Sequence, residues 1–343
     1  MNGFKYIYLL IVMALFVVRP DSTLASFVDW TGAESHRITL IYPGYTSYEF
    51  LVSDDHRLGK RNILQTKKNC RRCHLSKRGE LDLKTDEIVS GKAKMKRSRK
   101  DFEDSPKPGK KGVLYANLQS AFDKDYIYIK LSWSSRGTGW LASGKKTASD
   151  RVSIQLNKDH EPFKRYGCFI TCHTDVHSMP NSPSKEEVRA DPYYSSKGRD
   201  EVHLYAYYTR NGGSGWNNMK SAEEITELTK EGALIDLWSM ELKAGVAKVV
   251  DGWVLEDRRW EKNSDVDGTA TWSSGGGGGT YTAVFKRRLK TSSDKDIQIA
   301  VGDTISFAVA IHDGNATERK HYVSFPMTIG LSGKGEIKAK KLK

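Results

Sequence analysis

DYIYIKLSW, residues 125–133, alternates Tyr126, Tyr128, Lys130 and Ser132 with Ile127, Ile129, Leu131 and Trp133. A period of two is the signature of a half-buried strand. Moving outward, the same pattern recurs in VLYANLQSAF (113–122), RVSIQLN (151–157), EVHLYAYYT (201–209) and GALIDLWSMEL (232–242). It continues in GWVLE (252–256), TYTAVFKRRL (280–289), DTISFAVAIHD (303–313) and HYVSFPMTIGL (321–331), and RITLIYP (37–43) adds one strand near the start. Clusters of Gly, Asn, Asp, Ser and Pro separate these runs, including five glycines at 275–279. Helical candidates are short: Lys185–Ala190, and 221–230, which opens with Ser221 and Glu224 at capping-box spacing. The pattern predicts a mainly β chain, an antiparallel β-sandwich with short helices.

The flanks of this series differ in composition. The 343 residues carry a formal charge of +13, but it is concentrated: residues 56–111 hold 19 Lys/Arg against 7 Asp/Glu, and the last ten residues, KGEIKAKKLK, are also basic. That distribution argues against a uniformly basic nucleic-acid-binding surface. Residues 1–25 read as an export signal, with Lys5, an apolar run from Tyr6 to Val18, and Ser-Thr-Leu-Ala ending at Ala25. The 13-residue run suits a signal-peptide core and falls short of the ~20 residues of a membrane span. No other stretch approaches span length, so the expected mature chain is exported and lacks a transmembrane segment. The expected organisation is residues 1–25 as signal peptide, 26–111 as an N-terminal strand plus a basic insertion, 112–331 as the sandwich, and 332–343 as a basic tail.

All four cysteines sit in two tight motifs, each followed by histidine. They are Cys70-Arg71-Arg72-Cys73-His74 and Cys168-Phe169-Ile170-Thr171-Cys172-His173. C-x-x-C-H is the attachment signature of haem c. Two thiols must reach two vinyl groups on one edge of a rigid macrocycle, and the next residue must set an imidazole under the iron. A bulged turn accommodates the longer C-x-x-x-C-H form. The reading is therefore two loop-borne, covalently bound haems c with His74 and His173 as proximal ligands. Competing readings are a zinc site built from both pairs, a thioredoxin-like redox pair, and two plain disulfides.

Taken in order, DKDYIYIKLSW, DRVSIQLN, ALIDLWSMEL, the glycine-rich turn before YTAVFKRRL, and FAVAIHDGNATERKHYVSFP resemble the ethylbenzene-dehydrogenase-type haem-binding domain. This domain is the γ subunit of type II dimethyl-sulfoxide-reductase-family molybdoenzymes, and the resemblance covers roughly residues 112–331. It implies a haem-holding β-sandwich that exchanges electrons with an iron–sulfur β subunit beside a molybdenum α subunit. Simpler members bind one b haem through Met and Lys. Here Cys168, Cys172 and His173 lie after the DRVSIQLN strand, and a second attachment motif precedes it. This dihaem pattern resembles most the γ subunit of nitrite oxidoreductase or a nitrate-reductase relative. Its location would be the periplasm or an equivalent compartment, such as an anammoxosome lumen.

The sixth ligands are less determined. Alignment on the family's Lys selects Lys320 or, one residue on, His321; strand alternation permits only one of them to face the iron. Met179, six residues after His173, is a third candidate. For the first haem, Met95, His36, His56, His160 and His177 are all open. The run KAKMKRSRK (92–100) could dock an acidic electron carrier, balance haem propionates or be a solvated loop. No G-x-S-x-G, H-E-x-x-H or paired-carboxylate motif marks a catalytic chain. The leading expectation is an electron-transfer subunit serving a molybdenum/iron–sulfur oxidoreductase and a soluble cytochrome, with no nucleic-acid partner. The alternatives are a free-standing exported dihaem carrier, a haemless metal- or disulfide-stapled sandwich, and a dihaem peroxidase.

Overall fold

The computed structural model describes residues 28–66, 68–141, 149–213, 215–244, 246–275, 278–313 and 319–343. The segment read as a signal peptide lies outside them. Fourteen strands are present among the described residues. They are β1 His36–Ile41, β2 Val113–Phe122, β3 Tyr126–Ser135, β4 Asp150–Asn157, β5 Ile235–Lys243, β6 Val246–Val254 and β7 Arg258–Trp260. The rest are β8 Val266–Gly275, β9 Gly278–Arg288, β10 Thr304–His312, β11 Tyr322–Ser324, β12 Met327–Gly330, β13 Ile337–Lys338 and β14 Lys340–Lys341. They pair in the order β7-β6-β5-β4-β10-β11-β1-β2-β3-β9-β8, with β12, β13 and β14 branching from this path. All pairs are antiparallel except β12 with β13 and β14 with β2. The chain is thus a mainly antiparallel β structure with few short helices.

Register aligns the apolar rows. Leu118 pairs with Leu131 and Leu131 with Ala283, while Trp238 pairs with Ile154 and Ile154 with Val309. All six side chains belong to one buried cluster. The two arms of the sheet meet inside it, with the Trp238 and Phe285 rings 6.2 Å apart. At the outer strands, Gly268 of β8 lies so close to β5 and β6 that a Cβ there would touch Met240 and Val249.

The strands nearest the cysteine motifs are buried on both faces. In β5, Trp238, Met240 and Leu242 point into the main cluster, and Ile235 and Leu237 point the opposite way. A period of two makes this division unavoidable. Ile41 and Val323 join that second face, where Phe163, Tyr166, Phe169 and Ile170 cover it. This outer apolar layer carries both cysteine motifs.

One charge cluster is sealed in the interior. Arg287 of β9, fully buried, reaches Asp236 of β5 at 3.2 Å and Asp296 at 3.1 Å, and donates to the Ile297 carbonyl at 2.8 Å. Burial pushes the Asp236 carboxyl up to about 7 and that of Asp251 of β6 up to about 8.

Two local expectations need correction. Residues 201–209 form no strand: they run as an irregular segment into a single helical turn, Tyr207–Thr209. Their apolar side chains serve two separate clusters instead, Tyr205 with Met179 and Ala206 with Phe169. Conversely, β8, VDGTATWSSG, has the glycines and serines of a loop yet pairs along its whole length with β9. The helix Ala222–Lys230 carries the Ser221/Glu224 capping box, and Lys185–Ala190 carries a second one from Ser184 and Glu187. Among the described residues, no helix is long and apolar enough to cross a membrane.

Candidate functional site

Cys70–His74 is one short helix. Asn69 caps it, its side-chain oxygen accepting from the Arg72 N–H at 3.0 Å, and Leu75 leaves in extended backbone. Helical spacing sets Cys70, Cys73 and His74 on neighbouring positions of one turn. Cys70 packs on the outer apolar layer, and burial pushes its thiol up to about 12, whereas Cys73 is exposed. Phe325 lies 6.4 Å from the His74 ring and His56 lies 6.1 Å from it, with that pair of imidazoles within 23° of parallel. His74 Nδ1 is shielded from solvent and has no hydrogen-bond partner. Burial, then the neighbouring His56, lowers the His74 pKa.

The second motif follows β4. Asn157 accepts from the His160 N–H at 2.7 Å, the helix Glu161–Tyr166 forms, and Gly167 turns the chain at a φ of 54°. A Cβ at Gly167 would sit 3.0 Å from Ala308 and 3.3 Å from Pro326, so the sheet and this turn touch backbone to side chain. The tighter helical turn Gly167–Thr171 takes up the extra residue of C-x-x-x-C, with the Thr171 hydroxyl donating to the Cys168 carbonyl at 2.7 Å. Cys172 then leaves in extended conformation, and its thiol donates to the Thr46 carbonyl at 3.2 Å.

His173 is wholly buried. Its Nδ1 lies 2.7 Å from Glu49 Oε1, and Glu49 Oε2 accepts from the Thr174 N–H at 3.1 Å. Burial works to raise the Glu49 carboxyl, but the His173 hydrogen bond and charge outweigh it and hold it below the usual carboxylate range. Tyr205 stacks on the imidazole at 4.1 Å and 16°. The Tyr205 hydroxyl donates to Asp175 at 2.8 Å, and Arg210 covers its other side at 3.9 Å from the ring centre. With Nδ1 engaged, Nε2 is left buried and without a partner. Nothing in the sequence marked Glu49, Tyr205 or Arg210; they become visible only when distant segments pack around His173.

The fold brings the two motifs together. Cys70 and Cys168 pack against the same apolar layer, and Phe325 contacts both His74 and Phe169. Burial raises the Cys168 thiol to about 12 and also raises Cys172. None of the four cysteines is in a disulfide.

The sixth-ligand candidates are dispersed. Met179 is buried in a cluster with Val176, Val188, Tyr194, Val202 and Tyr205, against which Cys172 packs. Lys320 donates to Glu103 at 2.8 Å and to the Ser105 carbonyl at 2.7 Å. Arg319 joins this network by donating to Glu103 at 2.7 Å and to the carbonyl of Ser178, the residue before Met179, at 3.1 Å. The His321 ring stacks on His312 at 4.3 Å. Met95 sits in the basic turn, bonded through its N–H to the Lys100 carbonyl. His36 faces Glu34 at 3.5 Å, His160 packs on Tyr208, and His177 faces Glu201 at 3.6 Å.

Paired thiols, each pair followed by an imidazole with a shielded and unpartnered nitrogen, fit a covalently held iron porphyrin at both motifs. Residues 30–324 match the sequence profile described as ethylbenzene dehydrogenase. Cytochrome c-552 of Stutzerimonas stutzeri is 25% identical over 325 residues, covering 92% of each chain. Cytochrome c-551 of Rhodocyclus tenuis is 25% identical over 314 residues, covering 91% of this chain and 99% of that one. A putative carbohydrate-binding protein from Bacteroides uniformis superposes with a TM-score of 0.28 at 8% identity, over 62% of this chain and 69% of that one.

Proposed function

The chain belongs to the ethylbenzene dehydrogenase family, and from that membership we propose that it is an exported electron-transfer protein carrying two covalently bound haems c. The observation that carries this reading is the pair of Cys-Cys-His segments laid on one apolar layer, each presenting an unpartnered, shielded imidazole nitrogen. Cys70 and Cys73 would hold one haem with His74 as ligand, and Cys168 and Cys172 the other with His173. Each haem, when bound, supplies reversible one-electron iron chemistry. The chain supplies the environment. The Glu49 carboxylate fixes the ring orientation of His173 and makes it a stronger donor. Tyr205 and the surrounding cluster keep water from it. The doubled-over sheet, read as a closed sandwich, keeps both motifs in fixed register.

Among the sixth-ligand candidates at the second haem, Met179 offers a thioether that needs no deprotonation and shares a cluster with Cys172. Lys320 would have to leave Glu103 and lose a proton first, because an ammonium has no lone pair. His321 is the remaining candidate.

The family supports a place as electron-transfer subunit rather than catalytic chain, beside iron–sulfur and molybdenum subunits of the nitrite oxidoreductase or nitrate reductase type. A soluble cytochrome would be the other electron partner. The location is the periplasm or an equivalent lumen, reached through the signal at residues 1–25. A second reading, the free-standing dihaem carrier, is favoured by the two near-full-length relatives that are named as cytochromes. Purification from native cells distinguishes the two. Co-elution with large molybdenum and iron–sulfur subunits supports the first, and a lone monodisperse haem protein supports the second. Haem that extracts into acidic acetone would overturn both.

A further inference from the structure

The first motif has one imidazole at His74 and no sixth ligand named by the sequence. We propose that His56 is the second axial ligand of the haem held by Cys70 and Cys73, giving that iron a bis-histidine pair; this rests on the dihaem reading above.

Three observations converge on His56. The first is spacing. Two imidazoles on opposite sides of one metal, with bonds of about 2 Å each and ring radii of roughly 1 Å, have centroids about 6 Å apart. The His56 and His74 centroids are 6.1 Å apart and their planes are 23° from parallel.

The second is the tautomer. His56 Nδ1 lies 2.9 Å from the Leu51 carbonyl oxygen. A carbonyl only accepts, so Nδ1 carries the hydrogen and Nε2 carries the lone pair. A backbone carbonyl on the far nitrogen is the usual outer support of a metal-bound histidine.

The third is how the ring is held. His56 closes the turn Asp54–His56, which Ser53 caps by accepting from the Asp55 N–H at 3.2 Å. Phe50 covers the ring at 5.4 Å. Gly59, three residues on, has no side chain, and a Cβ there would run into the His56 ring. Asp55, next to His56, accepts from the N–H groups of Arg97 at 2.6 Å and Ser98 at 2.9 Å, tying the basic run back onto this turn. Met95, in that run, is the competing candidate, its N–H bonded to the Lys100 carbonyl at 2.8 Å.

The test uses the full-length, haem-loaded protein. Low-temperature EPR and near-infrared magnetic circular dichroism of the wild type report both axial pairs, and a bis-histidine signature for one haem is expected. In His56→Met, that one signature converts to histidine–methionine and the midpoint potential of the same haem rises, while the other haem is unchanged. In His56→Ala, one haem loses its low-spin spectrum and added imidazole restores it. Met95→Leu leaves both spectra as in the wild type. A wild-type spectrum without any bis-histidine haem overturns the assignment, whether or not the variants fold, and so do unchanged spectra in His56→Met. Intact mass, measured on the same samples, separates this from a failure of the underlying reading. Two haems with the wrong ligand sink only His56, whereas a polypeptide without haem sinks the site itself.

Discussion

At the residue scale, the chemistry depends on groups that hold the imidazoles rather than on the imidazoles alone. Glu49 is the clearest case. It bonds His173 Nδ1 and the Thr174 N–H, and it sits in the first turn of a helix, Tyr48–Leu51, far from the motif in sequence. Glu49→Gln keeps the shape and removes the charge. One haem is expected to shift to a higher midpoint potential in a spectroelectrochemical titration, with the other unmoved, because the ring becomes a poorer donor. Loss of the charge-assisted bond costs about 1–3 kcal/mol of stability, read by urea unfolding. The two motifs, Cys70, Cys73, His74 and Cys168, Cys172, His173, stand out in the sequence because their spacing is local. Glu49 and Tyr205 do not, because their roles arise from contacts across 124 and 32 residues of chain.

At the element scale, the second motif depends on one turn. Gly167 adopts positive φ and approaches Ala308 and Pro326. Gly167→Ala is expected to lower stability by about 1–3 kcal/mol and to reduce haem loading at the second motif more than at the first, as measured by haem per chain in peptide mass maps. The surface helix Ala222–Lys230 is the contrasting case. Ser221→Ala removes its cap and costs about 1 kcal/mol, with both haem spectra unaltered. The strands of the sequence reading were recoverable where one face is buried, as in β2 and β3. Residues 201–209 misled because their alternation feeds two side-chain clusters and not a ladder, and β8 was hidden because its pairing with β9, not its own composition, makes it a strand.

At the scale of the whole molecule, stability carries a pH signature from the sealed charge cluster. Burial, and the mutual repulsion of neighbouring carboxylates, pushes Asp236 up to about 7 and Asp251 up to about 8 in the fold, against about 3.9 in an unfolded chain. The folded state therefore binds more protons between these values. Stability from these groups is fully present below about pH 4 and falls as pH rises through 7 to 8. Asp251→Asn cannot ionise, so its thermal midpoint should fall less steeply between pH 5 and pH 8 than that of the wild type. Its advantage over the wild type should grow as pH rises towards 8. An equal slope in the two proteins would show that Asp251 does not titrate in the fold. Sequence patterning indicated a strand at GALIDLWSMEL, but not that Asp236 within it would be buried or that Arg287 and Asp296 would meet it across the core, since strand order joins β5 to β9 only through the folded sheet.

The same sheet sets Cys70 and Cys168 of the two cysteine motifs against one outer apolar layer. The most direct measurement is the intact mass of the processed protein from native cells. We predict a polypeptide heavier by two haem groups, with Cys70→Ser/Cys73→Ser and Cys168→Ser/Cys172→Ser each removing one. A mass equal to the bare chain, or to the chain with two disulfides, would contradict the account.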